Sequence, residues 1–157
     1  MPIYYQSQLE EMAAIHMGIR VDAAAADITV AAFQTYTVSG GNVQLLGFYG
    51  QLVEDVSADA TILSCTHTPT TGTATLIAIA GGGTDIQTYI SGRFFYLPVI
   101  GGVMAYSATG YCRMDVTPDW ILRPGVFTIF SSAAPGTGRV KSSMFYDPID
   151  YGAYVSA

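Results

Sequence analysis

The residues that could take part in catalysis or metal binding are few and lie far apart in this sequence. The two histidines, His16 and His67, belong to different predicted elements. A transition-metal site needs three or four histidine, cysteine or carboxylate ligands at characteristic spacings, and the sequence supplies no such group. We therefore predict no metal site, and we interpret His67 as a strand residue that is either hydrogen-bonded or exposed.

Two pairs of aspartates are the remaining candidates for chemistry. Asp147 and Asp150 flank Pro148 and are typical of a polar turn, in which aspartate side chains bond to backbone groups. A carboxylate pair for glycoside hydrolysis is the less favoured interpretation of the same residues. Asp55 and Asp59 share a predicted loop, but the glycine and the spacing of an EF-hand calcium loop are absent.

Glycine motifs that position a nucleophile or a phosphate are absent from the sequence. There is no G-x-S-x-G pentapeptide of the kind that carries a hydrolase serine. The run Gly81-Gly82-Gly83 is not followed by G-K-[ST] or by a predicted helix, so we interpret it as a turn. We therefore predict that the protein is not an enzyme and needs no cofactor.

The composition favours a single β-rich domain with a surface poor in charge. The chain has 157 residues, of which 11% are charged and 50% are hydrophobic, whereas an average soluble domain carries roughly 25% charged residues. Two kinds of protein tolerate such a surface: an extracellular β-domain, and a subunit whose surface is largely covered by partners. The net charge of −6 and the lack of a basic cluster argue against nucleic-acid binding.

The cysteines and the N-terminal residues bear on compartment and membrane. Cys65 and Cys112 each lie in an apolar run and are interpreted as buried free thiols, although a disulfide between them stays open. Residues 1–18 lack the basic and apolar regions of a signal peptide, and no apolar run approaches the ~18 residues of a membrane helix. We therefore expect synthesis in the cytoplasm and no membrane partner.

An N-terminal arm is predicted over residues 1–32. Ser7-Gln8-Leu9-Glu10 has the S-x-x-E pattern of a capping box. Apolar residues then recur at helical spacing up to Gly18, which predicts a short helix over about residues 8–17. This helix docks either on its own domain or on a neighbouring subunit, and residues 22–32 are interpreted as a linker. The apolar residues of the arm include Tyr4, Tyr5, Leu9, Met12 and Ile15.

An all-β domain is predicted over residues 33–157. Short runs rich in β-branched and aromatic residues alternate with turns that contain glycine or proline. About eight such strands predict a jelly-roll or Greek-key β-sandwich. Gly40-Gly41, between two of the runs, predicts a hairpin. The predicted strands include 33–38, 43–53, 61–68, 74–80, 110–116, 126–130 and 140–146.

The last of these strands has the clearest two-residue period. Its residues alternate between two faces. One face has Val140, Ser142, Met144 and Tyr146, and the other has Arg139, Lys141, Ser143 and Phe145. The aromatic residues near the C-terminus are hard to bury in one small core, so we expect part of them to face a neighbouring subunit. They are Phe145, Tyr146, Tyr151 and Tyr154.

Two stretches of the sequence resemble a known family. Tyr36–Val43 (YTVSGGNV) is similar to an aromatic-x-Val-x-Gly-Gly-x-Val entry to a β-domain. Thr137–Lys141 followed by Phe145–Ala153 is similar to a T-G-x-V-K … Y-x-P-L-D-x-G-A ending. Over residues 33–155 the chain thus resembles small β-domain virion proteins of tailed bacteriophages, of the head-decoration or cement type.

The resemblance implies a virion protein that binds the outer surface of an assembled capsid. Such a protein has the major capsid protein as its partner, forms a homotrimer and carries out no reaction. Two alternatives stay open: another virion component, such as a tail, fibre or head-closure subunit, and a carbohydrate-binding β-sandwich that uses exposed aromatic residues. The predicted contacts with the capsid or between subunits are Tyr4, Tyr5, Leu9, Met12, Ile15, Phe145, Tyr151 and Tyr154.

Overall fold

A computed structural model describes residues 18–29, 31–57, 60–72, 75–78, 86–96, 105–107 and 120–157. Within these ranges the regular structure is β-strand, and no helix is present. The strands are β1 (Ile19–Asp27), β2 (Ala31–Ser39), β3 (Val43–Leu52), β4 (Leu63–Pro69), β5 (Thr75–Ala78), β6 (Phe94–Tyr96), β7 (Ala105–Ser107), β8 (Trp120–Leu122), β9 (Gly125–Ser131), β10 (Arg139–Pro148) and β11 (Tyr154–Ser156).

The strands form two antiparallel sheets, so the predicted all-β class is confirmed. Sheet A has the order β1-β10-β3-β6-β7, and β8 also pairs with β3. Sheet B has the order β11-β2-β9-β4-β5. Sequential strands often lie in different sheets: β2 belongs to sheet B, β3 to sheet A and β4 again to sheet B.

The strand pairs are nested along the chain. The first strand, β1, pairs with β10, and the second, β2, pairs with β9. Further inwards, β3 pairs with β8 and β6, and β4 pairs with β5. Each of these pairs therefore joins an earlier to a later strand of the described chain in antiparallel direction.

Aromatic residues of both sheets meet in one core. The ring of Phe48 on β3 lies 6.1 Å from that of Tyr36 on β2 and 5.3 Å from that of Phe127 on β9. All three side chains are fully buried, and burial of a large apolar side chain stabilises a fold by about 2–3 kcal/mol. The other residues of the core are mostly Val, Leu and Ile.

The predicted alternation of the last strand is confirmed in β10. Its inward face packs into the core, as the sequence indicated. On the outward face Arg139 and Lys141 are exposed, whereas Ser143 and Phe145 are covered by neighbouring side chains. The pairing of β10 with β3 shifts register between Phe145 and Tyr146, so that Tyr146 pairs with Leu45 and both residues pack into the core.

The predicted linker over residues 22–32 is wrong, because residues 19–27 form β1 at the edge of sheet A. Val21 pairs with Met144 and Ala23 with Ser142, and both pack against the core. Alanine alone favours a helix, but here the pairing with β10 overrides that preference. Residues 1–17, with the predicted helix and the predicted contacts Tyr4, Tyr5, Leu9, Met12 and Ile15, lie outside the described residues.

The predicted hairpin at Gly40-Gly41 is also wrong, since this turn carries the chain from sheet B to sheet A. Gly40 has φ +76°, and a Cβ there would overlap the carbonyl of Gly152. The Asp150 carboxylate accepts a hydrogen bond from the Asn42 backbone nitrogen at 2.7 Å. The turn is therefore held by the C-terminal segment rather than by pairing of its flanking strands.

Candidate interaction surfaces

The outward faces of the two sheets differ in charge. None of the five strands of sheet B contains an Asp, Glu, Lys or Arg residue. The charged residues of the sheet A strands all lie in β1 and β10. They are Arg20, Asp22, Asp27, Arg139, Lys141 and Asp147. The described strands therefore form one sheet without charged residues and one sheet with them.

The uncharged face is dominated by threonine, and we call it the threonine face. In β2, β9 and β4 the outward residues alternate with buried ones, as in any strand with one face on the core. Cross-strand pairing aligns the outward residues in two rows. The rows are Thr35, Thr128 and Thr66, and Thr37, Val126 and Thr68.

The C-terminal segment adds exposed aromatic and aliphatic groups beside the threonine face. Tyr154 on β11 pairs with Ser39 and is 53% exposed. Tyr151 lies in the preceding turn and is fully exposed, and Ile149 is about half exposed. Of the predicted contact residues, Tyr151 and Tyr154 are thus placed on the surface in one segment.

Phe145 is placed elsewhere, on the outward side of sheet A, and is only 7% exposed. Its ring lies 6.0 Å from that of Tyr49, and the Arg20 guanidinium lies 5.9 Å from its centroid. Phe145 is therefore covered by Tyr49 and Arg20 on the outward side of sheet A. It does not share a surface with Tyr154, which belongs to sheet B.

A shallow depression of about 380 Å³ lies on the outward side of sheet A. Its lining comes from four adjacent strands, with Asp22 paired to Ser143 and Ser143 paired to Tyr49 across β1, β10 and β3. We call this surface the polar-aromatic face. Together with Phe145, its residues are Arg20, Asp22, Tyr49, Gln51, Phe94, Lys141 and Ser143.

Arg20 contacts both a carboxylate and an aromatic ring on the polar-aromatic face. Its Nε donates to Asp22 Oδ1 at 2.6 Å, and its guanidinium lies 6.0 Å from the centroid of the Tyr49 ring. Ser143 Oγ donates to the same carboxylate oxygen of Asp22. Although partial burial opposes ionisation, the hydrogen bonds from Ser143 and Arg20 hold the pKa of Asp22 below its usual value. Both groups are therefore charged at neutral pH.

The polar-aromatic face was missed by the sequence analysis because Arg20 and Asp22 fell in the predicted N-terminal arm over residues 1–32. Their spacing of two residues places both on one face of a strand, and this signal was present in the sequence. The two-residue spacing indicates a shared face only if residues 19–27 form a strand, and that strand forms by pairing with β10.

Two residues with potential reactivity are buried in the core side of sheet B. Burial raises the pKa of the Cys65 thiol far above its usual value, which makes it an unreactive free thiol, and Cys112 lies outside the described residues. His67 is 7% exposed, and neither ring nitrogen has a hydrogen-bond partner among the described residues. The prediction of a hydrogen-bonded or exposed His67 is therefore wrong.

The described residues bring together no group of three or more histidine, cysteine or carboxylate side chains that could hold a metal ion. Asp55 Oδ1 instead accepts a hydrogen bond from the Ser91 backbone nitrogen at 2.6 Å, and Asp59 lies outside the described residues. In the described part of the chain there is also no helix that could span a membrane.

Comparison with known proteins identifies no relative, since the chain matches no family model, no curated protein and no solved structure.

Proposed function

We propose that this chain is a non-catalytic structural subunit of a bacteriophage virion that binds the outer surface of the capsid and stabilises it. The observation that carries the proposal is the threonine face, an exposed sheet surface whose strands lack charged residues. A charge buried without a partner is costly, so an uncharged face packs against another protein surface without that cost. The resemblance to head-decoration proteins is consistent with this use.

The proposed fold is a jelly-roll sandwich of sheets A and B. A jelly roll consists of two Greek keys in two packed sheets. The nested pairs β1 with β10, β2 with β9, β3 with β6 and β4 with β5 support this topology. The shared core of Tyr36, Phe48 and Phe127 supports face-to-face packing of the sheets.

The proposed partners are the major capsid protein and two further copies of the chain. We place the capsid on the threonine face, because the described strands of sheet B carry no charged residue. Tyr151 and Tyr154 are assigned to contacts between subunits, since exposed tyrosines supply contact area with little loss of side-chain entropy. We propose that these tyrosines of one copy contact a different surface of the next copy. Such a head-to-tail contact closes into a ring of three when its rotation is threefold.

Stabilisation of the capsid then follows from mass action. A ligand that binds only the assembled shell shifts the equilibrium towards it, by about 2.7 kcal/mol per site at a concentration 100 times the dissociation constant. No bond is formed or broken in this process. Neither nucleic acid nor a membrane takes part, because the contact is made on the exterior of the particle.

The proposal is tested with particles of the phage that encodes the chain, grown with its gene deleted. Purified chain added to these capsids should co-sediment with them and raise the temperature at which they release their genome. Thr37→Lys, which places a cation in the threonine face, should abolish binding. Gln51→Lys adds the same charge to the opposite sheet and serves as the control, which should bind as the unmodified chain does.

Immunogold labelling of complete particles separates this proposal from its closest competitor. Label over the head supports a decoration protein. Label confined to the tail or to fibres would replace it by a tail or fibre subunit of the same fold. Particles without label, together with failure of the chain to co-sediment, would overturn a virion role.

A further inference from the structure

We propose that the polar-aromatic face of sheet A binds a saccharide that carries a carboxylate. This face lies on the opposite sheet from the threonine face, so the inference does not depend on capsid binding. It assigns a second, outward-directed binding surface to the protein.

The shape of the polar-aromatic face suits a small ligand. The depression measures about 380 Å³, within the range of roughly 300–1,000 Å³ that is typical of small-molecule sites. It crosses β1, β10, β3 and β6, so its floor is a continuous hydrogen-bonded sheet rather than a mobile loop. Such a floor holds the lining side chains at fixed separations.

Aromatic rings provide the apolar part of the site. Tyr49 and Phe94 lie 6.0 Å apart with their planes at 58°, and both are partly exposed. The face of an aromatic ring is negative, and the C–H groups on one side of a sugar ring carry a slight positive charge. A sugar ring can therefore stack on Tyr49 or Phe94 while its hydroxyls point to the rim.

Donors and acceptors alternate around these rings. The Arg20 and Lys141 side chains only donate hydrogen bonds, the Asp22 carboxylate only accepts, and the Gln51 amide does both. The described hydrogen bonds to Asp22 all end on Oδ1, and a ligand hydroxyl can donate to Oδ2. Vicinal sugar hydroxyls, each of which donates and accepts, match this mixed set better than a purely apolar or purely anionic ligand does.

The site is organised before any ligand binds. Arg20 is fixed by Asp22 and by its contacts with the rings of Tyr49 and Phe145. An arginine on an ordinary solvated strand has no such support and loses side-chain entropy on binding, whereas a preorganised one has less to lose. The burial of Phe145 beneath Arg20 is the clearest sign that this face is packed rather than merely solvated.

The charge of the site selects the class of saccharide. Arg20 and Asp22 neutralise each other as an ion pair at 2.6 Å. Lys141, which is exposed and lines the same depression, leaves an excess of one positive charge. A carboxylate on the sugar, as in a hexuronic or a sialic acid, gains a charge-assisted hydrogen bond from Lys141 that a neutral sugar does not.

The test begins with a glycan array that carries neutral, hexuronic and sialic saccharides, probed with the full chain. The array should retain the chain on carboxylate-bearing members. Titration of the isotope-labelled chain with D-glucuronic acid, N-acetylneuraminic acid and D-glucose, followed by NMR, should then shift the amide signals of β3 and β10. Absence of array binding together with unshifted spectra would overturn the proposal.

Three variants assign the binding to this face. Tyr49→Ala should weaken binding by at least about tenfold, equivalent to 1.4 kcal/mol. Lys141→Gln, at an exposed position that should not affect folding, should remove the preference for glucuronic acid over glucose. Thr37→Ala on the threonine face is the control and should bind normally. Binding that persists unchanged in Tyr49→Ala, or a preference for glucose in the unmodified chain, would refute the assignment.

Discussion

Tyr36 Oη lies 2.7 Å from Ser142 Oγ in the middle of the core, and this contact joins sheet B to sheet A. Ser142 Oγ donates its proton to Gln34 Oε1 at 2.6 Å, so Tyr36 is the donor to Ser142. Gln34 Nε2 in turn donates to the carbonyls of Ala24 at 2.7 Å and Val140 at 2.9 Å. This largely buried polar network thus links β2 of sheet B to β1 and β10 of sheet A.

Replacement of Gln34 should be the most damaging change in this network. Gln34→Ala leaves the buried Ser142 hydroxyl and the Val140 carbonyl without this partner, and each unsatisfied buried group costs about 1–3 kcal/mol. The Ala24 carbonyl belongs to an exposed residue and can bond to water instead. We expect a loss of at least about 2 kcal/mol in the free energy of unfolding, measured by urea denaturation. Thr35→Ala, one residue away on the exposed face, is the control and should change stability by less than about 1 kcal/mol, the span of strand propensities.

The same network predicts a loss of stability in alkali. Burial raises the pKa of Tyr36 to about 12, from an ordinary value of 10.0. Between these values the unfolded chain releases the proton and the folded chain keeps it, so stability falls as the pH rises from 10 to 12. The full effect is on the order of 3 kcal/mol, since each pKa unit corresponds to about 1.36 kcal/mol.

Urea midpoints at pH 9 and pH 11.5 measure this alkaline loss. Tyr36→Phe, although less stable overall, should lose less between the two pH values than the unmodified chain. Tyr151→Phe, at a fully exposed position, should keep the original dependence. Equal losses in the unmodified chain and Tyr36→Phe would mean that Tyr36 ionises as freely in the folded protein as in the unfolded chain.

Strands were predictable from the sequence where β-branched and aromatic residues are concentrated. The runs predicted at 33–38, 43–53 and 126–130 correspond to β2, β3 and β9. Strand β1 was missed because its alanines carry no strand signal, and β11 because it has only three residues. Both form by pairing with distant strands, β10 and β2, which no local pattern encodes.

Sheet membership was not predictable from local turn chemistry. Gly40-Gly41 indicates a reversal of the chain, but a reversal within one sheet and a crossing between two sheets use the same glycine conformations. The choice is made by long-range pairing, here of β2 with β9 and of β3 with β10. For the same reason the exposed tyrosines Tyr151 and Tyr154 could be named from the sequence, whereas the polar-aromatic face, built from four strands, could not.

Because His67 is buried, we expect the protein to lose stability in mild acid. Burial lowers its pKa below the ordinary 6.5, and the nearby carbonyls of Arg123 and Val126 only partly oppose this. Below pH 6.5 the unfolded chain therefore takes up a proton that the folded chain resists, so stability is complete above this pH and falls as the pH decreases. In His67→Leu the decrease between pH 7 and pH 5, followed by urea midpoints, should be smaller than in the unmodified chain.

A control for His67 uses the other histidine. His16→Leu should retain the acid dependence, because the effect is assigned to the buried ring alone. Identical slopes in the unmodified chain and His67→Leu would show that the acid dependence comes from other groups, such as the carboxylate of Asp22, whose lowered pKa acts in the same direction at lower pH.

Replacement of Gly50 by alanine should disturb the packing beside β3 in sheet A. It pairs with Phe95 across β3 and β6, and a Cβ at Gly50 would overlap the Phe95 ring, which is fully buried. Gly50→Ala must therefore displace this ring from the core, and overpacking of this kind costs about 1–3 kcal/mol. Gly136→Ala is the matched control, because the nearest atom to its Cβ is Ser57 Oγ at 3.6 Å. Thermal unfolding should give a midpoint several degrees lower for Gly50→Ala and nearly unchanged for Gly136→Ala, and equal midpoints would mean that Phe95 has room to move.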